Sequence, residues 1–278
     1  MTRTMKKIPV NARAFWCAEQ AASVGLFWLG QAGFLIRHEN LRVAIDPYLS
    51  DYLGKKYRGR DKPHDRLMQS PLTVKDLDGI NYVLCTHRHS DHMDPETLPA
   101  ISELHPECRF VVPSAEMDYA IKLGLPRERL MGINAGNTIS LSTECCVSAI
   151  AAAHETIETN SHGDHRYLGY LLKLGSLTLY HSGDTVPYPG LEECLKSKII
   201  DLALLPINGR GRGVSGNFTF EEATALCRSL NIPLMIPHHF GMFAFNTVER
   251  EKVAQWATET SSPVCYLPDI ESKFLLEN

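Results

Sequence analysis

The stretch Thr86-His87-Arg88-His89-Ser90-Asp91-His92-Met93-Asp94 packs three imidazoles and a carboxylate into six consecutive positions. Neutral imidazole and carboxylate are ordinary ligands for zinc, manganese or iron, and the absence of cysteine here argues against a closed structural zinc site. In the order His-x-His-x-Asp-His, the first two histidines can point the same way from an extended turn and clamp one ion. Asp91 and His92 then face a second. The plain alternative is a histidine-rich surface loop, but such tracts are usually less ordered in pattern and lack distant partners.

Distant partners are present. Asp46, His154, Asp184 and His239 each follow an apolar, strand-like run by a few residues, as His87 does. Open α/β sheets place their sites at such strand ends. Taken singly, His154 also reads as a buried core histidine, Asp184 as a turn residue beside Gly183, and His239 as a strand cap. Asp46 equally reads as an aspartate opening a turn before Pro47. Beside the six-residue cluster, the plain readings of His154, Asp184 and His239 jointly become improbable.

The elements that would position these residues follow from the hydrophobic pattern. Val24 to Leu29, Phe34 to Arg37 and Leu41 to Ile45 are strands bounded by Gly and Asn, and Ile80 to Cys85 is a buried strand running into the histidine motif. Cys85 reads as a small apolar strand residue. Asp94-Pro95-Glu96 opens a helix reaching about Leu104. Tyr167 to Leu174 and Leu177 to Tyr180 form a hairpin across Gly175-Ser176, and Leu234 to Pro237 leads to His238-His239. Thr219-x-x-Glu222 is a capping box for a helix to about Leu230. Asn246 with Glu249 caps the last helix, to about Thr258, and Val264 to Leu267 closes the sheet. The two strand-rich halves imply two sheets packed face to face with helices outside.

Two loops invite a ligand reading. Residues 51 to 72 carry Lys55, Lys56, Arg58, Arg60, Lys62 and Arg66, which suits a solvated excursion or, more sharply, an anion-binding flap. In Pro206 to Gly213, Arg210 and Arg212 could offer bidentate contacts to a phosphate or carboxylate, with Asn208 at the loop's start. A flexible solvated loop fits the same glycine-punctuated residues.

A formal charge of -4 gives no general basic field for nucleic acid. The eight cysteines form no CxxC, which points to reduced thiols and a cytoplasmic protein. No signal peptide is evident, and the apolar segment Val24 to Ile36 is interrupted by Gly30, Gln31 and Gly33 and is too short to span a bilayer. No GxSxG elbow is present.

Asp46 in IDPYLSD, His87 to His92 in THRHSDH, His154 in AAAHE, Asp184 in YHSGDT and His239 in IPHHFGMF resemble, in this order, the metallo-β-lactamase superfamily of metal-dependent hydrolases. WLGQAGFLI, LPINGRGR and GNFTFEEA narrow the likeness to its L-ascorbate-6-phosphate lactonase group. The resemblance implies an α/β fold, a four-layer αββα sandwich, as a single domain over residues 1–278. It gives His87, His89 and His154 to a first divalent ion and Asp91, His92 and His239 to a second, with Asp184 bridging. His238 rivals His239, and Asp46 would brace the metal loop by hydrogen bonds. Manganese suits the lactonase likeness, zinc the superfamily at large. Two such ions would activate a water against a carbonyl or phosphoryl centre, with Asp91 orienting it or passing its proton on.

The implied reaction is hydrolysis of a lactone or ester of a small anionic substrate, phosphorylated in the lactonase case. No nucleic-acid or membrane partner is expected, and relatives suggest a homo-oligomer. The alternatives are a phosphodiesterase or nuclease of the same superfamily, and a metal-binding protein that has lost turnover.

Overall fold

The computed structural model describes residues 4–18 and 23–277. Residues 1–3, 19–22 and 278 lie outside them. The chain forms two compact units, and each is built from separated stretches of sequence. The first comprises Met1–Gly132, Met242–Phe245 and Asp269–Asn278, the second Ile133–Gly241 and Asn246–Pro268.

In the first unit, β1 (Thr4–Pro9), α1 (Ala12–Cys17), β2 (Val24–Gly30), β3 (Gly33–His38), β4 (Leu41–Ile45), α2 (Tyr52–Tyr57), β5 (Tyr82–Leu84), α3 (Thr97–Leu104), β6 (Arg109–Pro113), α4 (Met117–Lys122) and β7 (Leu130–Ile133) follow in order. Together with the C-terminal strand Ser272–Glu277, they form a sheet ordered β1, C-terminal strand, β2, β3, β4, β5, β6, β7. Every residue of β2 and β3 is buried, as expected of central strands covered on both faces. Their core includes Phe27, Leu35, Val83, Ile101 and Phe110.

The pairing changes character along this sheet, and that change positions the histidine motif. From β1 to β4 the neighbours are antiparallel, whereas β4 and β5 are parallel with Ile45 opposite Leu84. Parallel register brings the residues just past both strands to one edge. Asp46 therefore meets the start of the motif, and its N–H donates to the Leu84 carbonyl at 2.9 Å.

The loop after Asp46 is more ordered than a solvated excursion, because α2 lies within it. Lys55 pairs with Glu96, Lys56 lies over the Tyr52 and Tyr57 rings, and Arg60 lies over Tyr57. Arg66 donates to the carbonyls of Tyr48, Ser50 and Met68. These cations are held by the unit's own rings, carbonyls and the Glu96 carboxylate.

The second unit contains β8 (Thr138–Ser140), β9 (Cys145–Ala151), β10 (Ala153–His154), β11 (Thr156–Ile157), β12 (Leu168–Leu174), β13 (Leu177–His181), α5 (Leu191–Leu195), β14 (Leu202–Pro206), α6 (Phe220–Ser229), β15 (Leu234–His238), α7 (Arg250–Glu259) and β16 (Val264–Cys265). Its sheet runs β16, β15, β14, β13, β12, β9, β8, with β10 and β11 as a separate pair. The expected hairpin is β12 with β13, antiparallel across Gly175-Ser176. Beyond it, β13, β14, β15 and β16 are parallel neighbours. The fully buried residues of β14 and β15 explain their unbroken apolar sequences.

Both halves of the capping box form at α6, with Thr219 accepting from the Glu222 N–H and Glu222 accepting from the Thr219 N–H. The last helix starts later than Asn246: its N-cap is Glu249. Asn246 is engaged elsewhere, accepting a hydrogen bond from Asn208. Among the described residues, no helix is long and apolar enough to cross a membrane.

Candidate metal centre

In the first unit the motif is a tight turn, with the N–H groups of His92 and Met93 both donating to the His89 carbonyl at 3.0 and 2.7 Å. The turn gathers its imidazoles. Ring centroids of His87 and His89 are 4.6 Å apart, and those of His87 and His92 4.0 Å. His87 and His92 are buried; His89 and Asp91 are half-buried.

Asp46 sets the proton positions. Its fully buried carboxylate accepts from the Thr86 N–H at 2.8 Å, the Thr86 hydroxyl at 2.6 Å and His92 Nδ1 at 2.7 Å. A carboxylate only accepts, so His92 carries its proton on Nδ1 and presents Nε2 as a lone pair. The single Thr86 hydroxyl proton is directed to Asp46, so the 3.1 Å contact with His87 Nδ1 has the imidazole as donor. His87 is thereby fixed in the same tautomer. Such outer hydrogen bonds orient histidine ligands and raise their basicity.

Gln31 is a residue that the sequence reading missed. It sits at φ 50 in the turn between β2 and β3, is buried, and donates through Nε2 to Asp91 Oδ2 at 2.9 Å. Its signal was a lone amide between glycines in an otherwise apolar stretch. Asp94 was read only as a helix opener. It does accept from the Glu96 N–H, but it also binds Ser50 through the hydroxyl at 2.8 Å and the N–H at 3.2 Å, locking the loop after Asp46 to the motif. Cys85 is fully buried, and burial pushes its thiol well up from its ordinary value, as suits an inert strand residue.

The second unit carries the other three candidates. Parallel pairing of β13, β14 and β15 brings Asp184 and His239 to one edge, where His239 Nε2 lies 3.2 Å from Asp184 Oδ2. The adjacent histidines are thereby separated, since His238 instead stacks on His181, centroids 4.8 Å apart and planes at 18°. His154 ends β10 with Nδ1 3.2 Å from the Gly216 carbonyl. That oxygen can only accept, so His154 also keeps its proton on Nδ1 and its lone pair on Nε2.

Asn208, Arg210 and Arg212, the residues expected to meet a substrate anion, are each also bonded within the second unit. Arg210 forks onto Glu222 and donates to the Asn217 carbonyl, while Arg212 donates to the Asn208 carbonyl. Asn208 is buried between the amides of Asn246 and Asn217.

The donor set fits a metal. Within each unit, carboxylates accompany buried imidazoles, and in three of those imidazoles bonds from Nδ1 to oxygen put the lone pair on Nε2. The match to known proteins agrees: residues 41–240 fit the Beta-lactamase superfamily domain. The chain belongs to the β-lactamase superfamily.

Within the superfamily, the chain is 30% identical to a UPF0173 metal-dependent hydrolase of Myxococcus xanthus, covering 78% of this chain and 70% of that protein. It is 26% identical to the "Probable L-ascorbate-6-phosphate lactonase UlaG" of Escherichia fergusonii, over 81% of this chain and 72% of the relative. The fold matches Igni18, a metallo hydrolase from Ignicoccus hospitalis, with a TM-score of 0.69, 17% identity, and coverage of 92% and 99% of the two chains. A mixed α/β fold with two sheets, consistent with the superfamily's αββα sandwich, is thus shown, and the family is one of metal-dependent hydrolases.

Proposed function

We propose that residues 1–278 form a single catalytic domain that hydrolyses a lactone or ester of a small anionic, phosphorylated molecule. One observation carries the reading: His87, His92 and His154 each have Nδ1 committed to an oxygen acceptor, which prepares Nε2 to bind a metal. The ligand set of the proposal is His87, His89, Asp91, His92, His154, Asp184 and His239, sharing two divalent ions, manganese or zinc. Such ions supply Lewis acidity and an activated water.

The chain's own residues have defined tasks. Asp46 and Gly216 fix histidine tautomers, and Gln31 orients the Asp91 carboxylate by donating to its Oδ2. Asp91 is the candidate for orienting the attacking water and relaying its proton to the leaving group. Arg212 is exposed and bonded through one guanidinium nitrogen, so its other donors remain for a substrate anion. The loop carrying it lines a cavity of about 440 Å³ with Thr247, Lys252 and Trp256, within the size range of small-molecule sites. The lactone preference is supported by the named lactonase relative, and the cytoplasmic, self-associating state by the cysteine usage and the resemblance.

The test is hydrolysis of a panel of phosphorylated and unphosphorylated lactones, esters and phosphodiesters by metal-reconstituted protein, with His89→Ala as the blank. Turnover confined to phosphorylated lactones is the expected result. Turnover of phosphodiesters alone overturns the substrate class, and silence across the panel leaves a metal-binding protein without this chemistry.

A further inference from the structure

We propose that Arg210 is a positioning residue for His154, acting through the Gly216 carbonyl and so setting the affinity of the ion that His154 holds. This deepens the reading of His154 as a metal ligand and rests on it. The loop from Gly209 to Phe218 is closed on itself: the Gly209 N–H donates to the Phe218 carbonyl at 3.0 Å, and the Asn217 N–H to the Gly209 carbonyl at 3.1 Å. Arg210 fastens this loop to the first turn of α6. Its guanidinium forks onto Glu222, the residue that completes the capping box, and also donates to the Asn217 carbonyl at 2.9 Å.

The side-chain stem of Arg210 crosses directly over Gly216. A Cβ at that position would lie 2.1 Å from Arg210 Cγ and 2.7 Å from its Cβ, so only glycine allows the approach. On its other side the Gly216 peptide is held by the His154-Glu155 pair. Its N–H donates to Glu155 Oε1 at 3.2 Å, and its carbonyl accepts from His154 Nδ1 at 3.2 Å. A second link runs through Thr185, whose carbonyl accepts from the Phe218 N–H at 2.9 Å and whose hydroxyl accepts from the Ala153 N–H at 2.9 Å. The loop thus ties the backbone next to His154 to that next to Asp184.

The chemical consequence lies in the tautomer. While the Gly216 carbonyl is in place, the imidazole proton stays on Nδ1 and the ring is held by a hydrogen bond. When Arg210 is shortened, the stem over Gly216 and the fork to Glu222 both vanish, and the carbonyl loses its backing. His154 then rotates, or its proton moves to Nε2, the nitrogen needed for the ion. Because Arg210 and Glu222 are solvent-accessible, their charge attraction contributes little to stability. The geometry that they impose is what matters.

The experiment is competition of purified full-length protein against a chromogenic chelator for Zn²⁺ and for Mn²⁺, using Arg210→Ala, Arg210→Lys, Glu222→Gln, His154→Ala and the Arg210→Ala/His154→Ala double variant. Arg210→Ala is expected to weaken one binding step about tenfold, the lower range for partners of metal ligands. Arg210→Lys should recover only part, since an ammonium cannot fork, and the double variant should bind as His154→Ala does. Wild-type affinity in Arg210→Ala overturns the proposal, and so does an additive loss in the double variant. Lost binding of inorganic phosphate with metal affinity intact overturns it too and returns Arg210 to the role of anion clamp. If Arg210→Ala does not fold, Glu222→Gln carries the same comparison, because glutamine keeps an acceptor for the Thr219 N–H. Unchanged metal affinity in His154→Ala instead removes the ligand reading, a failure distinguishable from that of Arg210 alone.

Discussion

Replacing Asp46 by Asn separates the hydrogen-bonding role of this residue from its conformational one. Asp46 has φ 44, and Asn tolerates this left-handed conformation about as well as Asp. What changes is one acceptor oxygen, which becomes a donor facing donors. If the amide oxygen takes the position of Oδ2, it keeps the Thr86 hydroxyl and His92, but its NH2 meets the Thr86 N–H. In the opposite orientation the NH2 faces His92 Nδ1 and forces that proton to Nε2. The first arrangement strands a buried donor at about 1–3 kcal/mol, and loss of the carboxylate charge weakens the remaining bonds, for a total of about 2–4 kcal/mol. The second spares stability but removes the lone pair proposed to bind the ion.

Urea unfolding of metal-free protein should therefore show a midpoint about 1 M lower for Asp46→Asn, with a slope near 3 kcal/mol/M for a chain of this size. Alternatively, metal titration should show affinity reduced about 10–100-fold. A variant with both quantities at wild-type values would refute the assignment of Asp46 as the residue that fixes the His92 tautomer.

Other perturbations reach different parts of the machinery. Thr219→Ala removes the side-chain half of the α6 cap and should cost about 1 kcal/mol in denaturant unfolding. Gly169→Ala places a Cβ 2.8 Å from the Ser182 carbonyl oxygen and 3.0 Å from that of His181; it should destabilise by about 1–3 kcal/mol, and an unchanged Tm would contradict the tight packing beneath the Asp184 turn. His64 stacks on Tyr57 and donates from Nδ1 to the Lys62 carbonyl, and burial holds its pKa below the usual histidine value. The unfolded chain therefore binds the proton first as pH falls. The stability linked to neutral His64 is complete above about pH 6.5 and is lost as pH drops through the folded pKa. Relative to wild type, His64→Phe should gain stability between pH 7.5 and pH 5, whereas parallel profiles would show that burial does not act on this imidazole.

The candidate ligand residues are legible because strand ends and the six-residue motif are local signals. Partners distant in sequence are not. The pairing of Thr4 with Glu277 and of Pro9 with Ser272 joins segments that alternate weakly and lie at opposite ends of the chain, so neither was read as a strand. The five-residue α5 is too short for helical periodicity to announce it. Asn246 had the composition of a helix cap, but the tertiary bond from Asn208 takes its side chain and the helix begins after Glu249. The partner of Arg210 is hidden for a similar reason: Glu222 reads as half of a capping box, and the same carboxylate also receives the arginine.

The backbone at these strand ends shows why the site could be found by residue type but not built from it. Asp46, Glu155, Gly183 and His239 have φ of 44, 77, 61 and 63, so each candidate ligand or bracing residue at the end of β4, β10, β13 or β15 lies at or beside a left-handed turn. Such a residue stops the strand abruptly and turns its side chain, or its neighbour's, out of the sheet's alternation. Only Gly183 adopts this conformation freely. A non-glycine residue held in the left-handed region costs about 1–3 kcal/mol, and it persists where surrounding bonds over-determine it. At Asp46 these are the bonds from Thr86 and His92; at Glu155, the bond from Gly216. The hydrogen bonds that fix the imidazole tautomers are thus among those that hold the strained turns. A substitution that loosens either one should disturb both the backbone and the nitrogen proposed to bind the metal.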